Sequence, residues 1–70
     1  MESMEPRFLT LADVTEILQV SMATVRALVR SGELRGIQVG GKGTWRIERV
    51  ELEAYIERCY AESDERTRPA

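Results

Sequence analysis

Residues 21–34 read SMATVRALVRSGEL, and within them Met22, Val25, Leu28 and Val29 recur at offsets 0, 3, 6 and 7. That spacing lines one side of an α-helix with apolar side chains. Ser21 stands where its hydroxyl can accept from the orphan N–H groups of a helix start, and Gly32 supplies the left-handed residue that ends helices at low cost. The spacing predicts a short amphipathic helix between them. At about 100° per residue from Met22, the apolar side centres near 310° and the opposite side near 130°. Ala23, Ala27, Arg30 and Ser31 cluster on that opposite side, with Thr24 and Arg26 on its shoulders. An ordinary solvated helix face carries Glu and Lys at i, i+4, yet no acidic residue lies between Ser21 and Gly32. Small side chains let a helix approach closely inside a major groove. There Ala and Thr methyls can touch thymine methyls and arginine can reach guanine O6 and N7.

Working upstream, Leu11, Val14, Ile17 and Leu18 repeat the same 0, 3, 6, 7 spacing. Thr10 can accept from the N–H near Asp13, and Asp13 places negative charge in the first turn. A first helix is expected over Leu11–Leu18. Gln19 and Val20 then leave room only for a tight connection, so the two helices form a helix-turn-helix. Met1 to Arg7 lacks apolar periodicity and is expected to be a flexible N-terminus.

Downstream the period changes. Ile37 and Val39 alternate with Gln38, glycines stand at 40, 41 and 43 around Lys42, and Trp45 and Ile47 alternate with Thr44 and Arg46. This is a β-hairpin with a glycine-rich tip; the glycines lack the lysine-serine pair and following helix of a phosphate loop. Trp45 shares the parity of Ile47 and is expected in the core, which points Arg46 outward, where phosphate is its natural partner. Lys42 at the tip is expected to reach a phosphate or groove. Val50, Leu52, Tyr55, Ile56, Cys59 and Tyr60 return to helical spacing, predicting a third helix to Tyr60 or Glu62, with Cys59 a small buried hydrophobe. Residues 63–70 are polar, contain Pro69 and are expected to be a disordered tail.

The 70 residues accommodate one domain, over residues 8–62, with a small core and no deep pocket. A single cysteine and no histidine leave no disulfide, no multi-cysteine zinc site and no common general base, so neither catalytic residues nor metal nor cofactor is expected. No apolar run approaches the roughly 18 residues of a membrane span, and MESMEPR is unlike a signal peptide, so a cytoplasmic protein is expected, and the groove-reading helix makes it nucleoid-associated. The formal charge of −2 conceals a segregated pattern. One basic residue stands against four acidic ones over residues 1–20, six against two over 21–49, and three against six over 50–70. Such a distribution can hold a polyanion on one face of an acidic protein.

From Phe8 to Tyr60 the chain resembles the excisionase-type helix-turn-helix domains, small relatives of the DNA-binding part of MerR regulators. The pieces that carry the likeness are FLTLADVTEIL, VSMATVRALVRSGEL, IQVGGKGTWRI and VELEAYIERCY, in that order. The resemblance implies a mainly α fold with a small β-hairpin, a winged helix-turn-helix, whose second helix enters the major groove while the wing meets the backbone. Thr24, Arg26, Ala27, Arg30 and Arg46 fall at positions such domains present to DNA. The long dimerisation helix and effector domain of MerR regulators have no counterpart in these residues. The expected function is double-stranded DNA binding, as a transcription regulator or an excisionase-like architectural factor, through Ala23, Thr24, Arg26, Ala27, Arg30, Lys42 and Arg46. With at most six basic groups on that face, the salt slope is limited to about −5, so self-association on adjacent DNA sites is expected to supply affinity. The alternative is a protein-interaction module that uses the acidic C-terminal helix.

Overall fold

The computed structural model describes residues 7–41 and 43–67. The expected flexibility of residues 1–6, the contact assigned to Lys42 and the last three residues of the expected tail lie outside the described residues.

The chain runs β1 (Phe8–Leu9), α1 (Leu11–Leu18), α2 (Met22–Ser31), β2 (Ile37–Val39), β3 (Thr44–Glu48) and α3 (Arg49–Thr67). Local chemistry explains the first two helices. Thr10 and Asp13 form a reciprocal capping box, with the Asp13 N–H donating to Thr10 Oγ1 at 3.0 Å and the Thr10 N–H donating to Asp13 Oδ2 at 3.0 Å. Helix α1 ends at Gln19, which takes left-handed backbone angles (φ 59°, ψ 48°) and donates its N–H to the Thr15 carbonyl. Ser21 caps α2, its Oγ accepting from the Thr24 N–H at 3.1 Å. Gly32, at φ 88°, closes the other end without the steric penalty a Cβ would bring. The Leu34 N–H then returns to the Leu28 carbonyl at 3.1 Å, folding Leu34 under the helix.

The sheet has three antiparallel strands in the order β1-β3-β2, one more than the expected hairpin. The additional strand pairs Phe8 with Glu48 and Leu9 with Ile47. In the hairpin Ile37 pairs with Arg46, Gln38 with Trp45 and Val39 with Thr44. Directly paired residues share a face, so Leu9, Trp45 and Ile47 point inward, while Phe8, Ile37, Val39 and Arg46 share the outer face.

Leu9, Val14, Val25, Val29, Leu34, Ile47 and Leu52 form the buried core, and Leu11, Leu18, Leu28, Trp45, Tyr55 and Ile56 pack around it. The apolar stripes are wider than this core. Ile17, Met22 and Val50, each expected on a buried stripe, stay largely exposed, as do Ile37 and Val39 on the outer side of the sheet. A domain this small cannot cover every apolar residue its helices offer. Cys59, expected to be buried, is half-buried.

Helix α3 corrects the expected boundary at Tyr60 to Glu62. It continues through residues 63–67, so the described part of the expected disordered tail is helical. Two local interactions favour the extension: Arg66 lies 3.9 Å from Glu62 at i, i+4, and Thr67 Oγ1 donates to the Ser63 carbonyl at 3.0 Å. Residues 61–67 contain neither Gly nor Pro, and Ala61, Glu62, Glu65 and Arg66 are good helix formers that extend a helix packing has already nucleated.

Candidate nucleic-acid interface

Helix α2 buries Val25 and Val29 and half-buries Leu28, as its periodicity demands, which leaves the other side to solvent. Ala23, Thr24, Arg26, Ala27 and Arg30 are all exposed there, on one continuous helical surface. Arg26 and Arg30 are one turn apart, so their guanidinium groups issue from the same row. Ala23 and Ala27, also one turn apart, make an adjacent shallow strip.

Hydrogen bonding divides this surface. Thr24 Oγ1 lies 2.9 Å from Ser21 Oγ, so its hydroxyl is part of the helix cap. Arg26 and Arg30 have no carboxylate, carbonyl or ring partner among the described residues. The other described arginines do: Arg7 pairs with Glu48 at 2.6 Å, Arg35 with Glu51 at 3.6 Å and Arg66 with Glu62, while Arg58 donates to the Glu33 carbonyl. Arg49 is likewise engaged within the chain.

Arg46 differs from its expected state. It lies on the face of β3 away from Ile47, as the alternation requires, yet it is half-buried across from Ile37 and its Nη1 donates to the Trp45 carbonyl at 2.8 Å. The free outward cation of the strand pattern is thus a guanidinium folded back on its own strand. The described residues among those expected to meet DNA fall into two groups, five on α2 and Arg46 on the wing.

The start of α2 adds donors that no side-chain pattern reveals. The first intrahelical bond is Val25 N–H to the Ser21 carbonyl, so the Met22 and Ala23 amides precede the ladder and stay available to an anion. The first turn contains no acidic residue. Among the described residues no group of three His, Cys, Asp or Glu is placed to hold a metal ion, and no helix is long and apolar enough to cross a membrane.

Two helices joined through a tight turn, followed by a hairpin that a preceding strand widens into a small sheet, define a winged helix-turn-helix protein. Among known families, the helix-turn-helix domain family matches this chain over residues 8–60. The chain belongs to that family, whose members form a DNA-binding class and are typically non-enzymatic. No curated protein and no solved structure matches the chain significantly.

Proposed function

We propose that this protein binds double-stranded DNA by laying the exposed face of α2 in the major groove, and that it works as a transcription regulator or as an architectural factor of the excisionase kind. The observation that carries this reading is the unpartnered pair Arg26 and Arg30, in a chain whose other described arginines are all engaged. Charged groups left without a counter-charge on a face of small residues suit a partner that supplies phosphates and guanine edges. Ala23 and Ala27 permit close approach, Thr24 contributes shape beside the cap, and the Met22 and Ala23 amides receive a backbone phosphate. Lys42 and Arg46 meet the backbone from the wing. Arg46 must first release the Trp45 carbonyl, a bond of about 1 kcal/mol, so the wing contributes less than α2. A single copy contacts few phosphates and binds modestly, and copies on adjacent sites raise the occupancy on the nucleoid.

The test is fluorescence anisotropy of a labelled mixed-sequence duplex at several salt concentrations, with Arg26→Ala and Arg30→Ala alongside the parent chain. Binding that weakens with salt, and a slope that falls by about 1 for each arginine removed, is the expected result. Absence of binding at low salt, or binding by both variants as tight and as salt-dependent as the parent's, overturns the proposal.

A further inference from the structure

On the side of α3 that meets α1, an apolar groove of about 240 Å³ is lined by Leu18, Tyr55, Ile56, Cys59, Tyr60 and Ser63. Nothing in the chain covers it among the described residues. Tyr60 is 65% exposed, Ile17 and Val20 beside Leu18 are exposed too, and α3 continues past the groove with residues 61–67 all exposed. A solvated helix has no need of an open tyrosine at the edge of an apolar trough.

The charges beside the groove are mostly negative. Glu57 and Asp64 flank Tyr60 at i−3 and i+4, with Glu53 one turn further back, and none of these three carboxylates has an ion-pair partner among the described residues. Tyr55 and Cys59 also border a second hollow, whose remaining lining is Glu33, Arg58 and Glu62. Arg58 there is already committed to the Glu33 carbonyl at 2.8 Å. An apolar wall with unpaired acids along one flank is complementary to an amphipathic segment, apolar on one side and basic at its border.

We propose that the groove between the end of α1 and the middle of α3 docks an amphipathic, lysine- or arginine-flanked helix of a partner protein. One or two apolar side chains enter between Leu18 and Tyr60, while the flanking cations reach Glu57 and Asp64 along the rim. A second copy fits less well, because the acidic α3 of one copy would face the acidic α3 of the other. The groove lies on α3 and the exposed arginines on α2, so the partner and a polyanion need not compete. This inference stands independently of the DNA reading.

The experiment titrates the isotope-labelled full chain with a synthetic lysine–leucine amphipathic peptide of about four helical turns, followed by amide correlation spectra. A peptide of the same composition, shuffled so that it has no apolar side, is the control. Shifts concentrated at Leu18, Ile56, Cys59, Tyr60 and Ser63 are expected, with affinity reduced at least ~3-fold by Tyr60→Ala and again by raising the salt from about 50 to about 500 mM. The exposure of Tyr60 keeps that variant folded, and the doubly charge-reversed Glu57→Lys, Asp64→Lys chain tests the rim without touching the groove. Arg30→Ala should leave peptide binding unchanged. Equal shifts with the shuffled peptide, or none with either, overturn the proposal. So does sedimentation showing a dimer of the chain alone that Tyr60→Ala dissociates, since a second copy would then be the occupant.

Discussion

The hydroxyls of Ser21 and Thr24 lie 2.9 Å apart at the head of α2, and the Ser21 oxygen also accepts from the Thr24 N–H at 3.1 Å. The cap and the beginning of the exposed face are therefore one unit. Ser21→Ala removes the acceptor for an orphan amide and is expected to cost about 1 kcal/mol. Thr24→Val keeps the shape but loses the hydroxyl pair, and about 0.5–1 kcal/mol is expected. Because both changes break the same pair, the double variant should lose less than the sum of the two. Urea unfolding followed by circular dichroism measures all three, and strict additivity would show that the hydroxyl pair contributes nothing.

Arg30 separates stability from recognition. With no partner among the described residues, Arg30→Ala and Arg30→Lys should both leave the unfolding free energy within about 0.5 kcal/mol of the parent. On DNA they should diverge. Lysine keeps the phosphate charge and the salt slope but loses the planar fork that grips guanine, so it should retain affinity for mixed DNA and lose preference among sites. A site-selection experiment on both chains reads that difference directly.

Gly36 is demanded by the wing behind it. A Cβ placed there would lie 2.6 Å from Ile47 Cδ1 and 3.2 Å from the Arg46 carbonyl. Ile47 is fully buried and has little room to retreat. Gly36→Ala is expected to destabilise by about 1–3 kcal/mol through overpacking. Adding Ile47→Val removes the clashing methyl and should return part of that loss, which a thermal melt of the double variant would reveal.

Tyr55 offers a titration. Its hydrogen bond with Cys59, followed by burial and the nearby negative charge of Cys59, Glu33 and Glu62, pushes its phenol from 10.0 up to about 12. Both the bond and the burial favour the neutral form. The folded value lies above the unfolded one, so the stabilisation is complete below pH 10 and is lost as the pH rises from 10 through about 12. Tyr60→Phe leaves Tyr55 as the single tyrosine, and its ultraviolet titration should have a midpoint near 12. Cys59→Ala in that background should move the midpoint towards 10; an unchanged midpoint would show that the thiol is not the main cause.

The legible parts of this fold are those whose signals lie within a few residues. Thr10 with Asp13 and Ser21 with Gly32 mark helix ends through backbone hydrogen bonds that close locally. The expected α1 therefore coincides with Leu11–Leu18, and the expected body of α2 with Met22–Ser31. The exposed side of α2 was equally legible, because burying Val25 and Val29 leaves Arg26 and Arg30 nowhere else to point. Leu34 was not, since a single leucine between Glu33 and Arg35 has no period; it is buried because its N–H bends back to Leu28. The end of α3 is not legible, because polar composition alone reads as disorder, although an i, i+4 ion pair and the absence of Gly and Pro extend the helix to Thr67.

Sequence alone determined the winged helix-turn-helix order of elements and the segregation of basic residues into the middle of the chain, because periodicity, caps and charge are properties of neighbouring residues. Tertiary structure decided the rest. Phe8 and Leu9 become a strand only because Glu48 and Ile47 present a partner edge, and pairing with β3 turns Ile37 and Val39 outward beside Arg46. Strand alternation sends Trp45 and Ile47 inward, but it leaves open which face of β2 meets the core. Whether a cation stays free is likewise a question of distant neighbours: Glu48 takes up Arg7, the Trp45 carbonyl takes up Arg46, and nothing among the described residues reaches Arg26 or Arg30.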